Sequence, residues 1–395
     1  MSWRICFAAL LPILGLILAA PARAAEGVPG EKIKFKKTVL EAKFRSEGVA
    51  VGDFNKDGKN DIAAGYVWYE APDWKMHELE KKPDYNGASG YSNSFCTWAH
   101  DVNGDGWVDI LVVDFPGNET WVFENPGKSA DAWKKRAVCP VTNNESPQFL
   151  DVDGDGVKEI VAGVAPDKKE ADGPKRQMAL LHAEKSGPFK IQIIGAPGGG
   201  KGVDRYSHGL GVGDLNKDCV NDVLVREGWY EGKKGDGEWK FHPAPFGEAC
   251  SDMHVYDFDA DGDQDVLSCA AHGLGMWWHE QLPEGRWKTH EISKDFSQTH
   301  SVNFTDINGD GLPDFVTGKR FWAHGPKGDV NPDGPAILAW FELKRENGKP
   351  VWTKHQIDDD SGVGTQFQVA DVNGDGLLDV AISNKKGVFY FEQQR

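Results

Sequence analysis

The chain has 395 residues, a net charge of −17, 39% hydrophobic and 27% charged residues, and six cysteines. This composition excludes a disordered tail, a collagen and a small disulfide scaffold, and the length alone suggests two or three domains. The acidic balance argues against a nucleic-acid partner, because neutralising phosphates takes clustered Lys and Arg, while 47 glycines and 15 tryptophans point to a turn-rich β protein.

Arg4 precedes an apolar run from Ile5 to Ala20, and Ala22-Arg23-Ala24 has the small-x-small form of a signal-peptidase site. The run is short for a spanning helix, so residues 1–24 read as a secretory signal cleaved before Ala25, with an uncleaved anchor as the alternative. Cleavage removes Arg4, Arg23 and Cys6, so the charge falls by two, from −17 to −19, and five cysteines remain. Cys96, Cys139, Cys219, Cys250 and Cys269 have no regular spacing, which fits one or two bridges but no disulfide framework or Cys-based metal site. The expected location is secreted or periplasmic, with no membrane span after cleavage.

Residues 25–395 read as one domain. Lys32–Leu40 is an isolated strand-like segment, and after it the pattern Asp-x-Asn/Asp-x-Asp-Gly-x-x-Asp/Glu occurs seven times, at spacings of 48, 50, 63, 43, 49 and 65 residues. Calcium takes six to eight hard oxygens, and alternate residues of a tight loop can aim oxygens at one point. The candidate ligands of the first loop are Asp53, Asn55, Asp57 and Asp61, and of the second Asp101, Asn103, Asp105 and Asp109. The third offers Asp151, Asp153, Asp155 and Glu159, and the fourth Asp214, Asn216, Asp218 and Asp222. The fifth offers Asp257, Asp259, Asp261 and Asp265, the sixth Asp306, Asn308, Asp310 and Asp314, and the seventh Asp371, Asn373, Asp375 and Asp379. An EF-hand would continue into a helix with Glu at the twelfth position, where the first copy has Ala64 in a strand-like run. Cys219 replaces the loop glycine in the fourth copy, which predicts the weakest calcium binding there. Plain Asp/Gly turns without metal are the alternative.

Short apolar stretches flank each loop; an aromatic segment ending in acid follows (VWYE, TWVFE, GWYE, MWWHE, AWFE, VFYFE), then a Trp-led segment. Four strands in about 45–50 residues, repeated around an axis, make a propeller blade. The last repeat lacks a Trp-led strand, so pairing it with Lys32–Leu40 would close the ring. The expected fold is all-β, a seven-bladed β-propeller of four-stranded blades with calcium-binding loops, closed by an N-terminal strand.

The positions six residues before each loop (Glu47, Phe95, Glu145, His208, Ser251, His300, Thr365) would ring the channel mouth on the face opposite the loops. Glu227, His272, Lys319, Arg320 and His324 would join them, with Trp68, Tyr69, Trp229 and Trp322 nearby. His77, His242, His290 and His355 fall in the Trp-led strands and read as structural, whereas His208, His254, His272, His300 and His324 gather in the fourth to sixth repeats. Neutral imidazole is a common zinc ligand, so His208, His272 and His300 are the candidate ligands of a zinc or other transition-metal site, with Glu227 or His324 adjusting proton transfer. Lys319 and Arg320 could stabilise developing negative charge. A chance scatter of histidines is the alternative. Gly195-x-x-x-x-Gly200-Lys201 imitates a phosphate loop, but Gly202 stands where Ser or Thr is needed.

Over roughly residues 32–395 the repeats resemble those of the FG-GAP/VCBS proteins, calcium-binding β-propellers that include the integrin α head. The segments RYSHGLGVGD, GWYE, MHVYDFDADGD, SQTHSVNFTDINGDGLPDFVTGKRFWAH and GVFYFE are also similar to the propeller part of aldos-2-ulose dehydratases, lyases that remove water from keto-sugars. The double-cupin part of those enzymes has no counterpart in this sequence. The resemblance implies a metal-assisted lyase acting on a keto-sugar or related carbohydrate. The alternative is a non-catalytic propeller that recognises a glycan or a protein.

Overall fold

The computed structural model describes residues 33–395 except 130, 197–199 and 248–249. The signal segment 1–24 and part of the phosphate-loop imitation lie outside the described residues. β1 (Lys34–Glu41) precedes β2 (Ala50–Gly52), β3 (Asp61–Ala64), β4 (Val67–Glu70) and β5 (Lys75–Glu78), and the last four pair in chain order. The same holds for β6 (Cys96–His100), β7 (Asp109–Val113), β8 (Asn118–Glu124) and β9 (Lys134–Thr142). β10 (Gln148–Leu150), β11 (Glu159–Val164), β12 (Gln177–His182) and β13 (Lys190–Ile193) follow, linked to the preceding set by the pair Val164↔Thr142. Next come β14 (Gly211–Gly213), β15 (Asp222–Val225), β16 (Gly228–Glu231) and β17 (Lys240–Pro243). The fifth set is β18 (His254–Tyr256), β19 (Asp265–Cys269), β20 (Leu274–Leu282) and β21 (Arg286–Ser297). The sixth is β22 (Val302–Thr305), β23 (Asp314–Gly318), β24 (Leu338–Glu346) and β25 (Lys349–Asp358). β26 (Gln368–Ala370), β27 (Asp379–Asn384) and β28 (Gly387–Gln394) pair in order, and β1 lies antiparallel to β28 from Lys34↔Gln394 to Glu41↔Val388. Every strand pair within these sets is antiparallel, and no helix among the described residues is long and apolar enough to cross a membrane.

The second strands, such as Asp61–Ala64 and Asp109–Val113, are buried throughout, as short apolar runs predict. Their side chains pack between neighbouring sheets: Val161, Met178 and Leu180 meet Val223, Val225 and Tyr230. In the outer strands Trp68 stacks on His77, Trp229 on His242, Trp278 on His290 and Trp340 on His355, with ring centroids 4.1–4.3 Å apart. Each of these imidazoles also meets a glutamate through Nε2, at 2.5–3.0 Å. They are outer-strand residues, remote from the histidines described below.

Segments leading into the first strands bond to one another. Glu47 N donates to Ser94 O, Glu145 N to Ser207 O, Met253 N to Leu210 O, and Val302 N to the Asp252 carboxylate. Asn303 Nδ2 donates to Phe367 O, and Thr365 N to Glu47 O, which brings the last set to the first. The approach is close enough that a Cβ on Gly364 would stand 2.0 Å from Glu47 O and 2.4 Å from Ser383 O. Backbone cannot yield as a flexible side chain can, so Gly364→Ala should destabilise the protein by about 3 kcal/mol. Urea unfolding measures this, and an unchanged midpoint would contradict the packing.

Candidate functional site

The loops at one end are built alike. Asp53 accepts from the N–H groups of Asp57 and Gly58, Asn55 from Asp57, and Asp57 from Lys59, and the seventh loop repeats this with Asp371, Asn373 and Asp375. The sixth position needs a left-handed backbone, with φ between 84° and 98° at Gly58, Gly106, Gly156, Gly262, Gly311 and Gly376; Cys219 takes φ 70°. The ninth position is buried. Asp61 accepts from Phe54 N and Ala71 N, a clamp repeated at Asp109, Asp222, Asp265 and Asp379. Burial, with nearby loop carboxylates, pushes Asp61 and Asp109 up to about 6, Asp222 and Asp265 to about 7, and Asp314 to about 8. Burial thus disfavours the charged form of these carboxyls, a cost that a cation bound in the loop would offset.

At the other end three imidazoles converge. His208 Nε2 stands 2.9 Å from His300 Nε2 and 3.1 Å from His272 Nε2, and one nitrogen of each lies within 4.8 Å of the other two. His300 is fully buried, and burial together with the neighbouring Arg320 charge holds its pKa well below the usual histidine range. Burial lowers His272 as well, against the opposing pull of Asp329. Beside them is a cavity of about 330 Å³ lined by Tyr91, Phe115, Glu145, Tyr206, His208, His272 and His324.

Charge under this cavity is arranged by Arg320. Its Nε donates to Glu47 Oε2 at 2.8 Å, and its Nη1 reaches Glu145 Oε2 at 2.9 Å and His300 Nε2 at 2.8 Å. Burial alone would raise Glu145, but His208, His300 and Arg320 outweigh it and hold the carboxyl well below its ordinary range. Glu47 Oε1 is buried without a partner among the described residues. Asp329 is the other organising acid. It takes His324 Nδ1 at 2.8 Å and lies 3.3 Å from His272 Nδ1, so one carboxylate orients two imidazoles. Those contacts outweigh burial and lower Asp329, while the Asp329 hydrogen bond raises His324.

Thus His208, His272 and His300 come together and His324 joins them on the cavity wall. Other expectations are corrected. Arg320 is locked between two buried carboxylates and does not line the cavity. Lys319 is buried with its ammonium on Asn331 O, and Glu227 pairs with Arg226 away from the cavity. His254 lies under the mouth, bonded to Val302 O and stacked on Phe304, and burial lowers it to about 4. The aromatic wall is Tyr91, Phe115 and Tyr206; Trp68 and Trp229 already belong to strands, and Tyr69 bonds Glu41. Cys96, Cys139, Cys250 and Cys269 are free buried thiols, so no bridge joins these four.

The fold and this geometry define a β-propeller with a histidine-lined pocket. Residues 101–162 and 257–317 match the FG-GAP-like repeat family. Among solved structures, BBS1N in complex with ARL6DN is similar at 10% identity, covering 91% of this chain and 95% of that chain, with a TM-score of 0.52. An Agrocybe aegerita lectin specific for non-reducing terminal N-acetylglucosamine aligns at 14% identity over 93% of this chain and 87% of that chain, with a TM-score of 0.47. The V. cholerae biofilm matrix protein Bap1 aligns at 17% identity over 73% and 43%, with a TM-score of 0.35. The likeness to BBS1N is one of fold. The chain thus carries FG-GAP-like repeats in two stretches, on four-stranded antiparallel sheets that fit a β-propeller.

Proposed function

We propose that residues 25–395 form a seven-bladed propeller whose last blade is completed by β1, with calcium in its loops and a transition metal at His208, His272 and His300. On this reading the protein is a secreted or periplasmic lyase that removes water from a keto-sugar or related carbohydrate. The observation carrying it is the meeting of three Nε2 atoms beside a cavity. Support for the ring comes from the β1–β28 pairing and from the bond of Thr365 to Glu47. The donor set fits a transition ion: two of the imidazoles are held neutral by burial, and at most one proton can sit between each facing pair of nitrogens. Binding would take the lone pair that His300 offers Arg320, which keeps Glu145 and Glu47 as its partners.

A bound zinc would polarise a substrate carbonyl as a Lewis acid. The remaining work belongs to side chains. Asp329 occupies His324 Nδ1 and leaves Nε2 as the ring nitrogen that accepts a proton from the carbon next to the carbonyl. Asp329 stabilises the imidazolium so formed, and the same proton returned to the β-hydroxyl releases water and leaves an enone. Tyr91, Phe115 and Tyr206 offer ring faces to pyranose C–H groups. The same wall favours a second reading, a glycan-binding propeller without catalysis.

Metal-loaded protein given 3-keto-glycosides or anhydrofructose should produce an ultraviolet-absorbing enone, about 10²–10⁴-fold more slowly in His324→Ala. His208→Ala should lose one equivalent of zinc. No enone from any of these substrates removes the lyase and leaves the binding reading; undiminished zinc in His208→Ala removes the metal site.

A further inference from the structure

The third loop departs from its six siblings at two places that face each other. The aromatic segments of the other repeats end in Glu70, Glu124, Glu231, Glu280, Glu342 and Glu392. In the third repeat the residue paired across the strands with the ninth loop position is His182, opposite Glu159. The ninth position is itself changed, from Asp to Glu. Asp61, Asp109, Asp222, Asp265 and Asp379 each give both oxygens to backbone N–H groups, while Asp314 gives only Oδ1, to Leu343 N, and keeps Oδ2 buried without a partner among the described residues. Glu159 gives Oε2 to Val152 N, and its Oε1 is buried with no hydrogen-bond partner among the described residues, in a side chain only 1% exposed.

What Oε1 faces is the Nδ1 of His182, 3.5 Å away. The tautomer follows from the neighbours. Gln192 Nε2 donates to Gly235 O, so Gln192 Oε1 is the atom that meets His182 Nε2 at 2.7 Å, and His182 Nε2 carries the proton. His182 thus turns Nδ1, the ring nitrogen not engaged by Gln192, toward the buried Glu159 Oε1. Asp153 shares this space, its carboxylate within 4.8 Å of both, and Asp153 in turn clusters with Asp151 and Asp155. One imidazole nitrogen and the carboxylates of Glu159 and Asp153 therefore converge on one point, continuous with the cluster of Asp151, Asp153 and Asp155.

We infer that the third loop is a mixed nitrogen–oxygen site that binds a transition divalent cation such as zinc, with His182 Nδ1 and Glu159 Oε1 added to the oxygens of Asp151, Asp153 and Asp155. Calcium prefers hard oxygens, whereas imidazole nitrogen favours zinc and its neighbours. This site is independent of the histidines at the mouth. It divides the loops into two chemical kinds, with this chain's own substitutions making the difference.

The test is dialysis of the full chain against micromolar zinc in millimolar calcium, with metals counted by mass spectrometry and zinc located by anomalous scattering in crystals. Zinc bonded to His182 is expected, with one equivalent lost in His182→Gln and calcium taken up in its place. Glutamine is a mild replacement at a side chain that is 20% exposed. Calcium alone in the wild-type third loop, or an unchanged zinc count in His182→Gln, would overturn the inference. The mouth is read separately through His208→Ala, so either site can fail while the other stands.

Discussion

Arg320→Met should lower the stability of the protein by about 3–5 kcal/mol, a large part of what a folded domain possesses. Arg320 is 1% exposed, Glu47 0% and Glu145 5%, so Glu47 depends on this guanidinium instead of water, and Glu145 on it together with His208 and His300. Burial works against the Arg320 charge, yet Glu47 and Glu145 more than compensate and raise its pKa. Methionine fills much of the volume but leaves two negative charges dry, with His300 as the nearest group able to answer Glu145 at 3.2 Å. Adding Glu47→Gln and Glu145→Gln to Arg320→Met should recover a substantial part of the loss, because the uncompensated charges disappear together. Denaturant midpoints of the single and triple variants read this directly. An unchanged midpoint in Arg320→Met would mean that water reaches the carboxylates and that the cluster is not the closed unit described above.

The same cluster shows where a linear sequence stops being informative. The loops and their flanking strands follow from short-range rules: alternate oxygens, a left-handed glycine, apolar runs of strand length. The position six before each loop led to Glu47, Glu145, His208 and His300, because equivalent positions of a repeat reach equivalent places. Asp329 had no such handle. It lies in the irregular stretch between β23 and β24 with φ 39°, near Asn331 at φ 52°, and only the folded chain brings it to His272 and His324. Tyr91 and Tyr206 have no sequence signal for the same reason, being in connections that break the repeat. Trp68, Tyr69 and Trp229 were misplaced because the turns before them are tight, so these residues already sit in β4 and β16 and pack between sheets. In the sequence Arg320 looks like a cation available to developing negative charge; the two carboxylates that engage it are 273 and 175 residues away.

Stripped of cations by a chelator, the protein should lose stability as pH rises from 7 to 8, and calcium should abolish the slope. Asp222 and Asp265 are pushed up to about 7 and Asp314 to about 8, first by burial and then by neighbouring loop carboxylates. An unfolded aspartate titrates near 4, so the folded state holds protons that the unfolded state has already released. The stability this confers is complete below about pH 4 and is lost as pH rises through the folded values, at up to about 1.4 kcal/mol per pH unit for each carboxyl still protonated. At lower pH the effect is masked, since His254 and His279 are lowered to about 4 and His272 and His300 are lowered too, and each opposes folding where the unfolded imidazole is charged. Above pH 7 those histidines are largely neutral in both states, which isolates the carboxyls. Calcium reverses the preference by binding the ionised form, and at 100 times its Kd each occupied site adds about 2.7 kcal/mol. Asp314→Asn should flatten the metal-free slope, because the amide oxygen can still accept from Leu343 N without titrating. Thermal melts from pH 7 to 8, with chelator or with calcium, measure all three effects. A metal-free melting temperature that holds steady or climbs over this interval would show that these aspartates are already ionised and that the loops do not rely on calcium to keep them so.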